Sequence, residues 1–198
     1  MSRQRSPVFE AALFDMDGTL VRSCYDWPMI RSTLGVDGPS IIDALNELPE
    51  PRRSAAWQTL IRIERRASAE ATLIDGAAEL VELVQDRGLH TALVTNNTDE
   101  NTHALLERFG LSFTLVLTRD SGYYKPSGAP IAEAMRRLGV SPELCLAVGD
   151  SGYDVMAARE AGCAQVVVVN GGYDAHGRDA DLAFRRLDEL TDYLGRIL

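Results

Sequence analysis

Short apolar runs alternate along the chain with longer stretches in which apolar residues recur every three or four positions. Ala11 to Phe14, His90 to Thr95, Leu111 to Leu117, Leu144 to Val148 and Gln165 to Val169 are the short runs. Each predicts a strand covered on both faces. Between them Ala77 to Asp86, Asp99 to Phe109, Pro130 to Leu138 and Tyr153 to Ala161 carry helical periodicity, with Gly88, Gly110, Gly139 and Gly162 at their ends. A weak strand at Leu182 to Phe184 and a last helix from Leu187 to Ile197 complete the series. This alternation predicts an α/β fold, a parallel sheet flanked by helices and joined by right-handed crossovers.

From Val21 to about Leu73 the rhythm breaks. Strand signals vanish, and helical pieces are separated by Gly35, Gly38-Pro39 and Pro49-Glu50-Pro51. Asp26-Trp27-Pro28 reads as a helix start, Pro39 to Leu48 as a second piece, and Arg52 to Ala71 as the longest. Trp57, Leu60, Ile61, Ala67 and Ala71 fall near one face of that last helix, and Arg62, Arg65 and Arg66 on the other. The arginines read either as an attraction for an anionic substrate or as a solvated face. The predicted organisation is an α/β domain of residues 1–20 and 74–198, with a small helical domain, 21–73, inserted after the first strand.

Composition narrows the function. The chain has 198 residues, 45% of them hydrophobic, enough for one full-sized core. A net charge of −9 argues against nucleic acid or an anionic membrane as the main partner. Cys24, Cys145 and Cys163 are scattered, odd in number and without metal-ligand spacing, which fits free thiols in a reducing compartment. Arg3 and Arg5 near the amino terminus are followed by no apolar run of the secretory kind, and no run is long enough to span a bilayer. A cytoplasmic protein is expected. Nineteen arginines stand against a single lysine, Lys125, which draws attention to the place where that compact ammonium is used.

The chemistry collects where the strands end. Asp15 and Asp17 follow the first strand, and Gly18 lets the backbone turn sharply beside them. Two carboxylates so close repel unless a cation or a shared proton resides there, and Mg²⁺ suits a site of few carboxylates plus water and phosphate. Thr95-Asn96 ends a second strand, Lys125-Pro126 lies in the loop after a third, and Asp150 and Asp154 follow a fourth. Singly, Thr95 or Asn96 also reads as a helix cap, Lys125 as an exposed lysine, and Asp150 and Asp154 as cap or turn residues. In a parallel sheet, however, all of them emerge at one edge. Together they make an inventory for holding Mg²⁺ against a phosphoryl group.

These residues resemble the four motifs of the haloacid dehalogenase superfamily: Asp15-Met16-Asp17-Gly18-Thr19-Leu20, Thr95-Asn96, Lys125-Pro126, and Gly149-Asp150-Ser151-Gly152-Tyr153-Asp154. The likeness covers Phe9 to Gly172 and is greatest to the phosphoglycolate-phosphatase-like branch. It implies a Rossmann-like core with a helical cap inserted after the first motif, and a phosphatase acting on a small phosphorylated metabolite. Asp15 would be the nucleophile, forming an aspartyl-phosphate, and Asp17 the general acid and then base. Mg²⁺ would be held by the Asp15 carboxylate, the Asp17 carbonyl and Asp150. Thr95, the Asn96 amide and Lys125 would bind phosphoryl oxygens, with Gly18 shaping the turn and Asp154 orienting Lys125 or a water. A monomer or homodimer is expected.

Relatives with other chemistry fit less well. Asp17 supplies the acid that an alkoxide leaving group needs and a halide does not, which argues against dehalogenation. Residues 21–73 contain no lysine for the Schiff base of phosphonate-cleaving relatives. Sugar-phosphate mutases share the core chemistry, but the segment Val21-Arg22-Ser23-Cys24-Tyr25-Asp26 lacks the histidine they usually carry. A phosphotransferase or mutase stays as the alternative, and a non-catalytic binding module as a weaker one. Arg22, Tyr25, Trp27, Arg62, Arg65 and Arg66 are the candidates for substrate contact.

Overall fold

The computed structural model describes residues 9–170 and 179–198. The segment with Arg3 and Arg5 and the end of the resembling stretch at Gly172 lie outside them. In chain order the first elements are β1 (Ala11–Phe14), β2 (Val21–Arg22), α1 (Trp27–Leu34), α2 (Ile41–Asn46), α3 (Arg52–Glu70) and β3 (Thr72–Leu73). Then follow α4 (Ala77–Asp86), β4 (His90–Val94), α5 (Asp99–Phe109), β5 (Leu115–Leu117) and α6 (Ala129–Leu138). The last are β6 (Cys145–Gly149), α7 (Gly152–Glu160), β7 (Gln165–Val168), β8 (Leu182–Ala183) and α8 (Leu187–Ile197).

Six strands make one parallel sheet in the order β5-β4-β1-β6-β7-β8. All four residues of β1 are apolar and buried, and it takes the central place between β4 and β6. Ala11 and Leu13 point to one face, where they join Ala92, Val94, Ala147 and Val166 in a core shared with Ile131, Ala134 and Met135 of α6 and with Val155 and Ala158 of α7. Ala12, Phe14, Leu93, Leu146 and Val148 are as deeply buried, and alternation sends them to the opposite face. There α4 packs on β4 and on α8.

Register decides what happens at the carboxyl edge. Phe14 lies level with Leu93 on one side and Val148 on the other, and Val94 with Leu117. The residues that step off these strands are therefore delivered to a common rim.

The helical stretch forms a unit of its own, Ser23–Thr72. Its core is Ile30, Leu34, Val36, Ile41, Leu45, Ala56 and Leu60. The Asp26 side chain accepts from Met29 N at 3.0 Å to start α1, and Ser40 does the same for Asp43 N at 3.2 Å to start α2. Both caps satisfy amide donors that the helix cannot.

Three expectations are corrected. The strand foreseen from Leu111 begins only at Leu115, because the Leu111 amide closes α5 on Leu106 O and Thr114 Oγ1 hydrogen-bonds Thr91 N in place of a ladder bond. Ile61 lies outside the buried face of α3. The stripe at i, i+3 and i+4 runs through Ala56, Leu60, Glu64 and Ala67, and Ile61 is a full 100° off it. The stretch from Val21 to Leu73 is not free of strand: β2 and β3 pair at its two ends, each too short to show a period of two.

Candidate active site

Asp15 continues the β1 ladder, its amide donating to Val148 O at 2.9 Å, so its side chain leaves on the same face as Leu13. Beyond it the strand stops. Met16 O receives the amides of Thr19, Leu20 and Val21, which winds residues 16–21 into a tight loop and turns Asp17 away from its neighbour. The two carboxylates thus find separate partners. Asp15 Oδ1 accepts from Lys125 Nζ at 2.5 Å, and Asp17 Oδ2 from Asn97 Nδ2 at 3.0 Å.

Gly18 has φ +88°, a region hostile to side chains, and a Cβ there would fall on the Asp150 carboxylate. A Cβ on Gly149 would strike the side chain of Asp154. These two glycines let the loops after β1 and β6 approach closely enough to gather their acids.

Lys125 is almost wholly buried, 5% exposed. Its ammonium bridges Asp15 Oδ1 and Asp154 Oδ1, each at 2.5 Å. Asp154 is fixed in turn by a capping box at the start of α7, its Oδ2 accepting from Ser151 N at 3.0 Å and from Ser151 Oγ at 2.6 Å. Asn96 holds Lys125 by the backbone: Asn96 Nδ2 donates to Lys125 O and Lys125 N donates to Asn96 Oδ1, both at 2.8 Å. Thr19 Oγ1 donates to Asp15 Oδ2 at 3.2 Å and stands 3.5 Å from Asp150 Oδ1.

Charge in this site is under-compensated. Carboxylate oxygens of Asp15, Asp150 and Asp154 lie within 4.8 Å of one another, with one ammonium among them. Burial pushes Asp15 up to about 7 against the pull of Lys125, and Asp154 and Asp17 add to the rise. Burial, then Asp15 and Asp154, push Asp150 up to about 8. The ammonium of Lys125 also resists burial, but its two carboxylates outweigh that and raise its pKa above the ordinary lysine value. The donor set is all hard oxygen with no histidine or thiolate, so it fits a small divalent cation of the Mg²⁺ kind. Asp154 is committed to Lys125 and Ser151, which leaves Asp15 and Asp150 as the carboxylates to meet such an ion.

The sequence-predicted residues Asp15, Asp17, Gly18, Thr95, Asn96, Lys125, Asp150 and Asp154 all reach this edge. Thr95 is buried, and its Oγ1 accepts from Asn97 N at 3.1 Å. The side-chain amide of Asn96 is turned to the Lys125 backbone. Of the two roles foreseen for Asp154, the contact with Lys125 is present. In the helical unit Tyr25 stacks on Trp27, ring centroids 4.7 Å apart, while Arg62 bonds Thr59 and Arg66 pairs with Glu70, as on a solvated face.

Several residues that hold the site together carry no assigned role in the sequence. Ser151 was legible from its spacing to Asp154. Thr19 lay inside a recognised motif. Asn170 donates to Gly18 O at 2.8 Å and Thr19 O at 2.9 Å from 152 and 151 residues away, and no local pattern announces it. Arg119, buried in a 3-10 turn after β5, donates to Asn96 O at 3.1 Å and is equally silent in the sequence.

Known proteins share this architecture. Residues 24–162 match the family of haloacid dehalogenase-like hydrolases. A phosphoglycolate phosphatase of Nitrosococcus oceani is 30% identical, the match covering 93% of each chain. The pyrophosphatase PpaX of Halalkalibacterium halodurans is 27% identical over 92% of this chain and 95% of its own. The crystal structure of a hydrolase from Pseudomonas syringae superposes with a TM-score of 0.80 at 21% identity, covering 95% of this chain and 99% of that one. The chain belongs to the haloacid dehalogenase-like hydrolase family, as an enzyme of the phosphatase type.

Proposed function

We propose that the protein hydrolyses a small phosphate monoester by way of an aspartyl-phosphate on Asp15, with Mg²⁺ as cofactor. The observation that carries this reading is the buried Asp15 carboxylate held by the chain's only lysine, with a second acid, Asp17, two residues on. The relatives named for phosphoglycolate and pyrophosphate support a small phosphorylated metabolite as substrate. No helix among the described residues is long and apolar enough to cross a membrane. The free cysteines suit the reducing cytoplasm, where we place the reaction.

Lys125 and Thr19 fix the Asp15 carboxylate so that one oxygen meets phosphorus in line with the leaving oxygen. The same ammonium faces the charge that grows on the phosphoryl oxygens. Thr95 Oγ1 accepts from a backbone amide and keeps its own proton to donate to a phosphoryl oxygen. Asp17 gives a proton to the departing alkoxide as the ester bond breaks, then takes one from the water that cleaves the aspartyl-phosphate. Mg²⁺, when bound by Asp15, Asp150 and the Asp17 carbonyl, supplies the positive charge that offsets repulsion between nucleophile and phosphate.

The test is phosphate release from a panel of phosphate monoesters, with and without Mg²⁺, for the wild type and Asp15→Asn. Release that needs Mg²⁺ and disappears in the variant is expected. Undiminished release by Asp15→Asn would remove the covalent intermediate. Turnover only when a sugar acceptor is added would transfer the reading to the mutase class.

A further inference from the structure

Asn97 has no part in the proposed chemistry, yet its side chain hydrogen-bonds the acid that does. It follows Thr95-Asn96 at the end of β4, is 3% exposed, and donates from Nδ2 to Asp17 Oδ2 at 3.0 Å. Which way the amide points is decided by its other contacts. Asn97 Oδ1 accepts from Thr98 N at 2.9 Å and from Asn101 Nδ2 at 3.1 Å. A backbone N–H can only donate, so the atom facing it must be the oxygen, and the amide nitrogen is obliged to face Asp17. Asn101 is itself buried one turn into α5. The Asp17 carboxyl is thereby tied to the start of a helix rather than left on a loop that contains a glycine.

We propose that Asn97, braced by Asn101, is the positioning residue of the general acid. By holding Oδ2 with a donor fixed to the start of α5, it sets the orientation of the carboxyl from which the proton leaves. The inference rests on the hydrolase reading above. In the step concerned, the Asp15 oxygen–phosphorus bond forms and the bond from phosphorus to the leaving oxygen breaks. The proton on the Asp17 carboxyl passes to that oxygen, and the alcohol departs neutral. An ester whose leaving group is stable as an anion has little use for this proton. Misaiming Asp17 therefore harms poor leaving groups and spares good ones, whereas a general loss of structure harms both.

The experiment compares kcat/KM for phenyl, 4-nitrophenyl and 2,4-dinitrophenyl phosphate, since kcat/KM reports the step in which the ester bond breaks. Asn97→Ala is expected to lose about 10- to 100-fold on phenyl phosphate, near the low end of what a general acid contributes. On the dinitrophenyl ester it should lose less than about threefold, as an aimed proton contributes little there. Asp17→Asn serves as the reference for a steep leaving-group dependence. Asn101→Ala, which only unbraces Asn97, should tilt the series the same way by a smaller factor, and it carries the test if Asn97→Ala does not fold. Equal losses on all three esters, or none, would overturn the inference while the hydrolase reading stands. A wild type that releases phosphate neither from these three nor from the panel above would overturn both.

Discussion

The α/β unit holds two ion-pair groups that are inversions of each other. In one, a cation, Lys125, bridges two carboxylates, Asp15 and Asp154, each at 2.5 Å. In the other, a carboxylate, Glu133 on α6, bridges two cations, Arg136 and Arg137, each at 2.7 Å. The distances are nearly equal, and the cations sit in opposite surroundings. Lys125 and its partners are buried, whereas the arginines are 70% and 43% exposed in their side chains. Burial makes each member of the first group depend on the others, because no water replaces a lost partner. In the second group the two arginines stay hydrated whether or not they are paired, although the Glu133 side chain between them is only 12% exposed. Spacing alone does not tell a working site from surface decoration.

Removing the bridging charge is the harshest way to break this comparison. Lys125→Met keeps the length of the side chain and deletes its ammonium, leaving Asp15 and Asp154 to face each other across a dry gap. A stability loss of about 3–5 kcal/mol is expected, the usual cost of unpairing a buried charge. Phosphate release should fall by about 10³-fold or more, because a charge stabiliser and the brace of the nucleophile go together. Chemical denaturation and a single-substrate assay measure the two effects. A variant as stable as the wild type would mean that the bridge does not hold the site together.

A gentler probe is the proton. Asp15 is raised to about 7 and Asp150 to about 8 from an ordinary 3.8, so the folded state binds protons that the unfolded chain releases. Their contribution to stability is full below pH 3.8 and is lost as pH rises through 7 to 8. Lys125, raised above the ordinary lysine value, keeps its charge in both states across this window and adds no slope. In chelator-treated protein the melting temperature should therefore fall between pH 5 and pH 8. Added Mg²⁺ should restore it, more at pH 8 than at pH 5, because the ion meets ionised carboxylates only at the higher pH. A metal-free melting temperature that rises over this range would contradict the electrostatic account.

Most of the site around Lys125 was legible in the chain, for a physical reason. Asp15, Thr95 and Asp150 each follow an apolar run, and a parallel sheet sends the ends of such runs to one edge. The helix ends were legible too, since the glycines after α5 and α6 adopt positive φ where other residues are disfavoured. The braces were not. Asn170 reaches Gly18 and Thr19, and Arg119 reaches Asn96, through contacts that exist only after the strands have docked. The buried Glu64 on α3 is equally unannounced, a charged residue on the apolar stripe of its helix. Residues to which we assign chemistry sit at predictable places on the fold, while residues that steady them are chosen by tertiary geometry.

The surface group sharpens the comparison from the other side. Hydrogen bonds from Arg136 and then Arg137 hold the Glu133 carboxyl down to about 2 from an ordinary 4.5. A depressed carboxyl contributes stability above pH 4.5 that is lost as pH falls toward 2, so Glu133→Gln is expected to act only above pH 4.5. Even there the effect should be no larger than the scatter of replicate melts and should vanish at high salt, where exposed charges are screened. Phosphate release should be unchanged, because Glu133 projects from α6 and touches none of the acids around Lys125. The melt is read beside that of Lys125→Met under the same conditions. A loss in Glu133→Gln of similar size would show that α6 relies on this cluster to stay docked, and burial would no longer separate the two groups.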